Sequence, residues 1–127
     1  MRLIVADTNV LVSAAIPPGG APAVIVSDWI LRGLVQTVVC PAVAAEYGTV
    51  FRRPRFRRYG FPPPWLEFLV RESLHLPDPP PWPQPGPDAS DTVFLALAAL
   101  SGARLITGNL RHFPSRIRSG VAVRDPA

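Results

Sequence analysis

The run Val93–Leu100 reads VFLALAAL, preceded by Asp88 and Asp91 and closed by Gly102, and it is apolar around its whole circumference. A helix of that kind offers no face to water, so it must be covered on most sides, as when it packs between a sheet and another helix. Other segments supply the sheet. Leu3–Ala6 (LIVA), Leu34–Val39, Arg104–Thr107 (RLIT) and Val121–Arg124 (VAVR) are short runs of the length and composition of buried strands. Helices are expected over Pro22–Arg32, stopped by Gly33, over Pro41 to about Arg53, stopped by Pro54, and over Pro64 to about Leu74. Asp7-Thr8-Asn9 reads as a polar turn after the first strand, and a short helical turn is expected around Leu110–Phe113. This alternation is an α/β order, and the rules for parallel strands point to a small doubly wound sheet in one domain spanning 1–127.

Several classes drop out on composition. Cys40 is the sole cysteine, so the chain can build neither an intramolecular disulfide nor a cysteine-ligated metal site. The start MRLIVADTN interrupts its apolar run at Asp7 and lacks a signal-peptide core, and Pro17, Pro18, Gly19, Gly20 and Pro22 break the one long uncharged stretch. The expected setting is cytoplasmic, with no membrane segment. Residues 77–87 (PDPPPWPQPGP) hold seven prolines in 11 positions and are expected to form a stiff, extended, exposed connector.

The chain has no lysine: 13 arginines against nine acids give a net charge of +4, and Arg52, Arg53, Arg55, Arg57 and Arg58 crowd into one short segment with Phe56 and Tyr59. Guanidinium forks match phosphate oxygens and aromatic rings stack on bases, so RRPRFRR reads as a groove for single-stranded RNA. A solvated basic loop, or one that pairs with an acidic protein, is the plainer reading.

The acids fall at telling places. Asp7 lies just past the end of the first strand and Asn109 just past RLIT, where open α/β sheets put their ligand crevice. Asp88 and Asp91 open the apolar helix, and Glu46 projects from the helix after the second strand. Crowded carboxylates repel one another unless protonated or neutralised by metal, and hard oxygen donors select Mg²⁺ or Mn²⁺. No histidine is expected among them, since neither His75 nor His112 stands at a telling spacing from a carboxylate or serine. Each residue also has a structural reading: an Asx-turn for Asp7, a helix cap for Asp88 and Asp91, a solvated face for Glu46 and a turn for Asn109.

Taken in order, Asp7-Thr8-Asn9, Glu46, Asp88-Ala89-Ser90-Asp91 with VFLALAALSGA, and RLITGN resemble a PIN-domain nuclease over residues 2 to about 124. The likeness is greatest to the VapC-like toxin components of bacterial toxin–antitoxin systems. The resemblance implies a Rossmann-like α/β/α fold and metal-dependent RNA hydrolysis, with Asp7, Glu46 and Asp91 as the catalytic acids. It implies a Mg²⁺ or Mn²⁺ site on Asp7, Asp91, Glu46 and Asp88, with Thr8, Asn9, Thr107 and Asn109 as supporting polar groups. It further implies a cognate antitoxin over the active site and a homodimer, to which exposed Trp65 and Phe68 would contribute. Asn109 departs from the commonest pattern, which has aspartate there, so one negative charge is missing. Two alternatives therefore stay open: a PIN fold that binds RNA or a partner without cutting, and a phosphohydrolase with Asp7 as nucleophile. Asn9 weighs against the second.

Overall fold

Five parallel strands form the sheet of the computed structural model, which describes residues 2–127, so that Met1 of the expected 1–127 unit lies outside the described residues. They are β1 (Arg2–Ala6), β2 (Val35–Val39), β3 (Leu74–His75), β4 (Arg104–Ile106) and β5 (Val123–Arg124), in the spatial order β3-β2-β1-β4-β5. The order reverses beside β1, so the chain winds outward in both directions from the middle. β1 pairs with β2 through Ile4 opposite Thr37 and with β4 through Val5 opposite Leu105, which aligns the carboxyl ends of the central strands. Ile4, Val5, Val38, Val39 and Leu105 are all buried, the continuous apolar pattern expected of strands covered on both faces.

The helices are α1 (Thr8–Ala15), α2 (Gly20–Val24), α3 (Pro41–Phe51), α4 (Pro64–Glu72) and α5 (Thr92–Ser101). The apolar helix behaves as its circumference demands: α5 packs on β1, β2, β4 and α3, and Phe94–Ala98 are buried. Leu100, next to the last residue of the helix, is half exposed.

Four local expectations are corrected. The turn expected at Asp7-Thr8-Asn9 is the start of α1, with Asp7 at the N-cap and Val10 and Leu11 driven into the core. Asp, Thr and Asn suit helix starts as well as turns, and the apolar residues after them decide the matter. α4 stops at Glu72 rather than near Leu74. Ser73 Oγ there donates to the Leu69 carbonyl and accepts from the Thr37 hydroxyl, and the next two residues join the sheet as β3. The segment expected as one helix over Pro22–Arg32 is α2 continued by a π-helical turn at Ile25–Ile30, with Leu31 N–H donating to the Val26 carbonyl. Trp65, expected as an exposed dimer contact, packs edge-on against the fully buried Phe51, while Phe68 on the same helix is exposed.

The proline-rich connector is pinned rather than free. Asp78 accepts the Ala42 N–H and caps α3, the Trp82 indole donates to the Ile117 carbonyl at 2.7 Å, and Arg116 donates to the Pro85 carbonyl. The segment is therefore a strap drawn across the domain, and it delivers the chain to Asp88. Trp82→Ala removes a hydrogen bond and a partly buried ring, and is expected to lower unfolding free energy by about 2 kcal/mol in urea titrations. Among the described residues no helix is long and apolar enough to cross a membrane.

Candidate active site

Asp7 leaves β1 at its carboxyl end, and its backbone N–H donates to the Ile106 carbonyl of the neighbouring strand, which fixes where its side chain can point. The residue is only 5% exposed. Oδ2 accepts hydrogen bonds from Thr107 Oγ1 (2.8 Å) and Asn9 Nδ2 (3.2 Å), and Asn9 is itself held by the Gly108 N–H. Asn109 joins this cluster through its backbone, its N–H donating to Thr107 Oγ1.

Two neighbouring carboxylates come from other elements. Glu46, on α3, accepts a hydrogen bond from Thr8 Oγ1 at the start of α1. Asp91, at the start of α5, has Oδ2 2.7 Å from His112 Nδ1. Asp88, at the end of the strap, is exposed and accepts from both the N–H and Oγ of Ser90 through Oδ1. Asp7, Glu46, Asp88 and Asp91 all border one open cleft of about 300 Å³, together with Thr8, Asn9 and His112. Thr107 and Asn109 are not among the residues lining it; Thr107 is fully buried behind Asp7.

Burial and crowding act on these acids together. Burial pushes Asp7 up to about 6, against the Thr107 hydrogen bond, and the charges of Asp91 and Glu46 push it further the same way. Glu46 is raised by burial, with the Thr8 hydroxyl opposing, Asp91 adding and Arg53 counteracting. Asp91 is raised by burial, with His112 opposing. Asp88 is held below the usual carboxylate range by its two Ser90 hydrogen bonds. Among the described residues no arginine forms an ion pair with any of the four.

His112 is the residue that sequence reasoning placed outside the site. It ends the short 3₁₀ turn Leu110–His112 after β4 and lies 21 residues from the acid it meets, so no local spacing reveals the pair. Asn109 held the usable signal: the crevice rule that picked the loop after RLIT extends to the next turn of the same loop. Among the described residues, Asp88, Asp91 and His112 form a set of candidate metal donors whose ligand atoms all lie within 4.8 Å of one another.

The arginine run divides. It forms a 3₁₀ helix, Pro54–Tyr59, instead of an open loop. Arg53 and Arg55 line the acidic cleft, with the Arg55 guanidinium 4.8 Å from the centre of the Phe56 ring. Arg52 lines a separate groove between α3 and α4, and Arg58 stacks on Tyr59 and donates to its hydroxyl. Arg57 is exposed and borders neither depression.

A wholly parallel sheet with acids gathered at the carboxyl ends of its central strands defines an α/β domain with an acidic crevice at its switch point. The PIN domain family matches residues 3–111, and the chain belongs to that family. Among solved structures, FitAcB from Neisseria gonorrhoeae superposes with a TM-score of 0.64 at 18% identity, over 97% of each chain. VapBC2 from Rickettsia felis, bound to a DNA fragment from its promoter, gives 0.63 at 13% identity over 98% of each chain. FitAB bound to an IR36 DNA fragment gives 0.62 at 18% identity, over 97% of this chain and 94% of that one. No curated protein matches the chain by sequence.

Proposed function

We propose that this PIN domain is a Mg²⁺- or Mn²⁺-dependent ribonuclease that hydrolyses phosphodiester bonds in single-stranded RNA. The observation that carries the reading is the convergence of Asp7, Glu46 and Asp91, from three separate elements, on one cleft whose rim bears Arg53 and Arg55. The donor set fits such a cation. Carboxylates that push each other's proton affinity upward, with no arginine bridging them among the described residues, gain most from a divalent ion held between them. Asp7, Asp91 and Glu46 would hold it, with Asp88 as a further oxygen donor. A bound ion of this class supplies an acidified water and positive charge against the phosphodiester.

The chain's own groups supply orientation. Thr107 and Asn9 fix the Asp7 carboxylate, Thr8 fixes Glu46, and His112 fixes Asp91 in the metal-free protein. Arg53 and Arg55 would bind strand phosphates next to the acids, and Phe56 packs beneath Arg55. Residues 1–127 would act as one cytoplasmic unit. In keeping with the likeness to FitAB and VapBC2, a cognate antitoxin would here lay a charged tail across the acidic cleft and its basic rim. Exposed Phe68 would lie in a homodimer interface.

Asn109 favours a second reading, a PIN fold that binds RNA without cutting, since it brings no charge and its side chain is not among the cleft-lining groups. One experiment separates the two. Purified protein and a mixed single-stranded RNA pool are incubated with Mn²⁺, with Mg²⁺ and with EDTA. The nuclease reading expects products with 5′-phosphate and 3′-hydroxyl ends in the metal arms and none in EDTA. Binding without products in every arm would overturn it.

A further inference from the structure

We propose that His112 is itself a metal ligand, and that its imidazole makes the cleft select Mn²⁺ over Mg²⁺. The inference rests on the metal-dependent reading above and adds a nitrogen donor to a site otherwise built of oxygens.

Three separate segments meet here. Asp88 comes from the end of the proline strap, Asp91 from the start of α5 and His112 from the turn after β4, and their ligand atoms lie within 4.8 Å of one another. His112 Nδ1 and Asp91 Oδ2 are 2.7 Å apart. Adjacent ligands on a six-coordinate ion with bonds near 2.1 Å stand about 3 Å apart, so this separation is close to that of two donors sharing one ion. Both Ser90 hydrogen bonds to Asp88 fall on Oδ1, so they steady the carboxylate without engaging Oδ2. The His112 side chain is 40% exposed and borders the cleft, so an arriving ion can reach it.

The ligand type sets the preference. Mg²⁺ takes oxygen donors and gives up its waters reluctantly, whereas imidazole nitrogen suits transition ions. A site of carboxylates alone would discriminate little between Mg²⁺ and Mn²⁺. One imidazole changes that, and it does so in the same loop where Asn109 leaves the site a charge short.

The competing role for His112 is a hydrogen-bonded prop that orients Asp91 without touching the ion. His112→Gln separates the two, because glutamine can still donate to Asp91 through its amide but has no ring nitrogen. The measurement uses the full, metal-free chain. Mn²⁺ is titrated and followed by the electron paramagnetic resonance signal of the free ion, Mg²⁺ is measured by competition, and bound Mn²⁺ is examined by electron spin-echo modulation for coupled ¹⁴N. Wild type is expected to show imidazole ¹⁴N coupling that His112→Gln lacks. The substitution should weaken Mn²⁺ about tenfold and Mg²⁺ by less than about twofold. His75, the other histidine, lies on the edge strand β3 with Nε2 against the Val70 carbonyl, so it does not supply the signal. Bound Mn²⁺ without ¹⁴N coupling, or equal weakening of both ions, would overturn the ligand role while leaving the nuclease reading intact. Failure of wild type to bind either ion would overturn both.

Discussion

Asp7→Asn is expected to lower RNA cleavage on the order of a thousandfold and, in the same molecule, to raise the stability of the metal-free fold. Both effects come from one buried charge. Asp7 is 5% exposed, and burial together with Asp91 and Glu46 lifts it from an ordinary 3.8 to about 6. A folded-state value above the unfolded one means that the folded chain binds this proton more tightly. The group's favourable contribution is therefore complete below about pH 4, is lost as pH rises through 6, and above that leaves the full cost of an ionised buried acid. Two units correspond to about 3 kcal/mol, at about 1.4 kcal/mol each. Asparagine never ionises, yet its amide oxygen can still accept from Thr107 and Asn9. In EDTA at pH 8, urea titrations should show Asp7→Asn more stable by up to about 3 kcal/mol, with the gap shrinking toward pH 4. Saturating Mn²⁺ should reverse the order, because an ion that binds only the wild-type fold stabilises it by mass action. Unaltered cleavage would remove Asp7 from the catalytic assignment, and the absence of a pH-dependent gap would mean that its carboxylate is not held charged and buried.

Asp7 could be read from the sequence together with its hydrogen-bond partners Asn9 and Thr107, whereas the approach of His112 to Asp91 could not. A short apolar run ending in Asp-Thr-Asn places the residue at a strand end, and the crevice rule does the rest. The sheet was legible for a similar reason: β1, β2 and β4 bury the short apolar runs Ile4–Ala6, Val38–Val39 and Leu105–Ile106, and α5 is apolar on every side. β3 was not, because two exposed residues hold their place through backbone pairing to Val38 and Val39 and carry no hydrophobic signature. α1 was hidden by its own cap, whose residue types also make turns. His112 depends on tertiary structure alone, as two loops distant in sequence bring it to Asp91. The strap forms neither helix nor strand, as a connector should, but Asp78 and Trp82 tie it down through hydrogen bonds to residues 36 and 35 positions away, which local composition does not encode.

The arginine run is where sequence and structure diverge with the largest functional consequence. Read linearly, five guanidinium groups form one groove. The fold puts Arg53 and Arg55 on the acidic cleft and sends Arg52 and Arg58 elsewhere. Only the first pair stands where a strand engaged by the acids must pass. Arg53→Gln combined with Arg55→Gln should therefore remove two charge-assisted phosphate hydrogen bonds, at roughly 1–1.5 kcal/mol each, and weaken single-stranded RNA binding by about 30- to 150-fold. The slope of log affinity against log salt should fall by about 1.4, near 0.7 for each phosphate that is no longer neutralised. Arg57→Gln combined with Arg58→Gln makes the same change in net charge in the same segment, and is expected to weaken binding less than about threefold, the residue of long-range attraction. Fluorescence anisotropy in EDTA, where no strand is cut, at several salt concentrations reads both quantities. Equal losses for the two pairs would mean that the run acts as a diffuse cationic patch. A greater loss for Arg57 and Arg58 would move the strand off the acidic cleft and onto the face beside Tyr59.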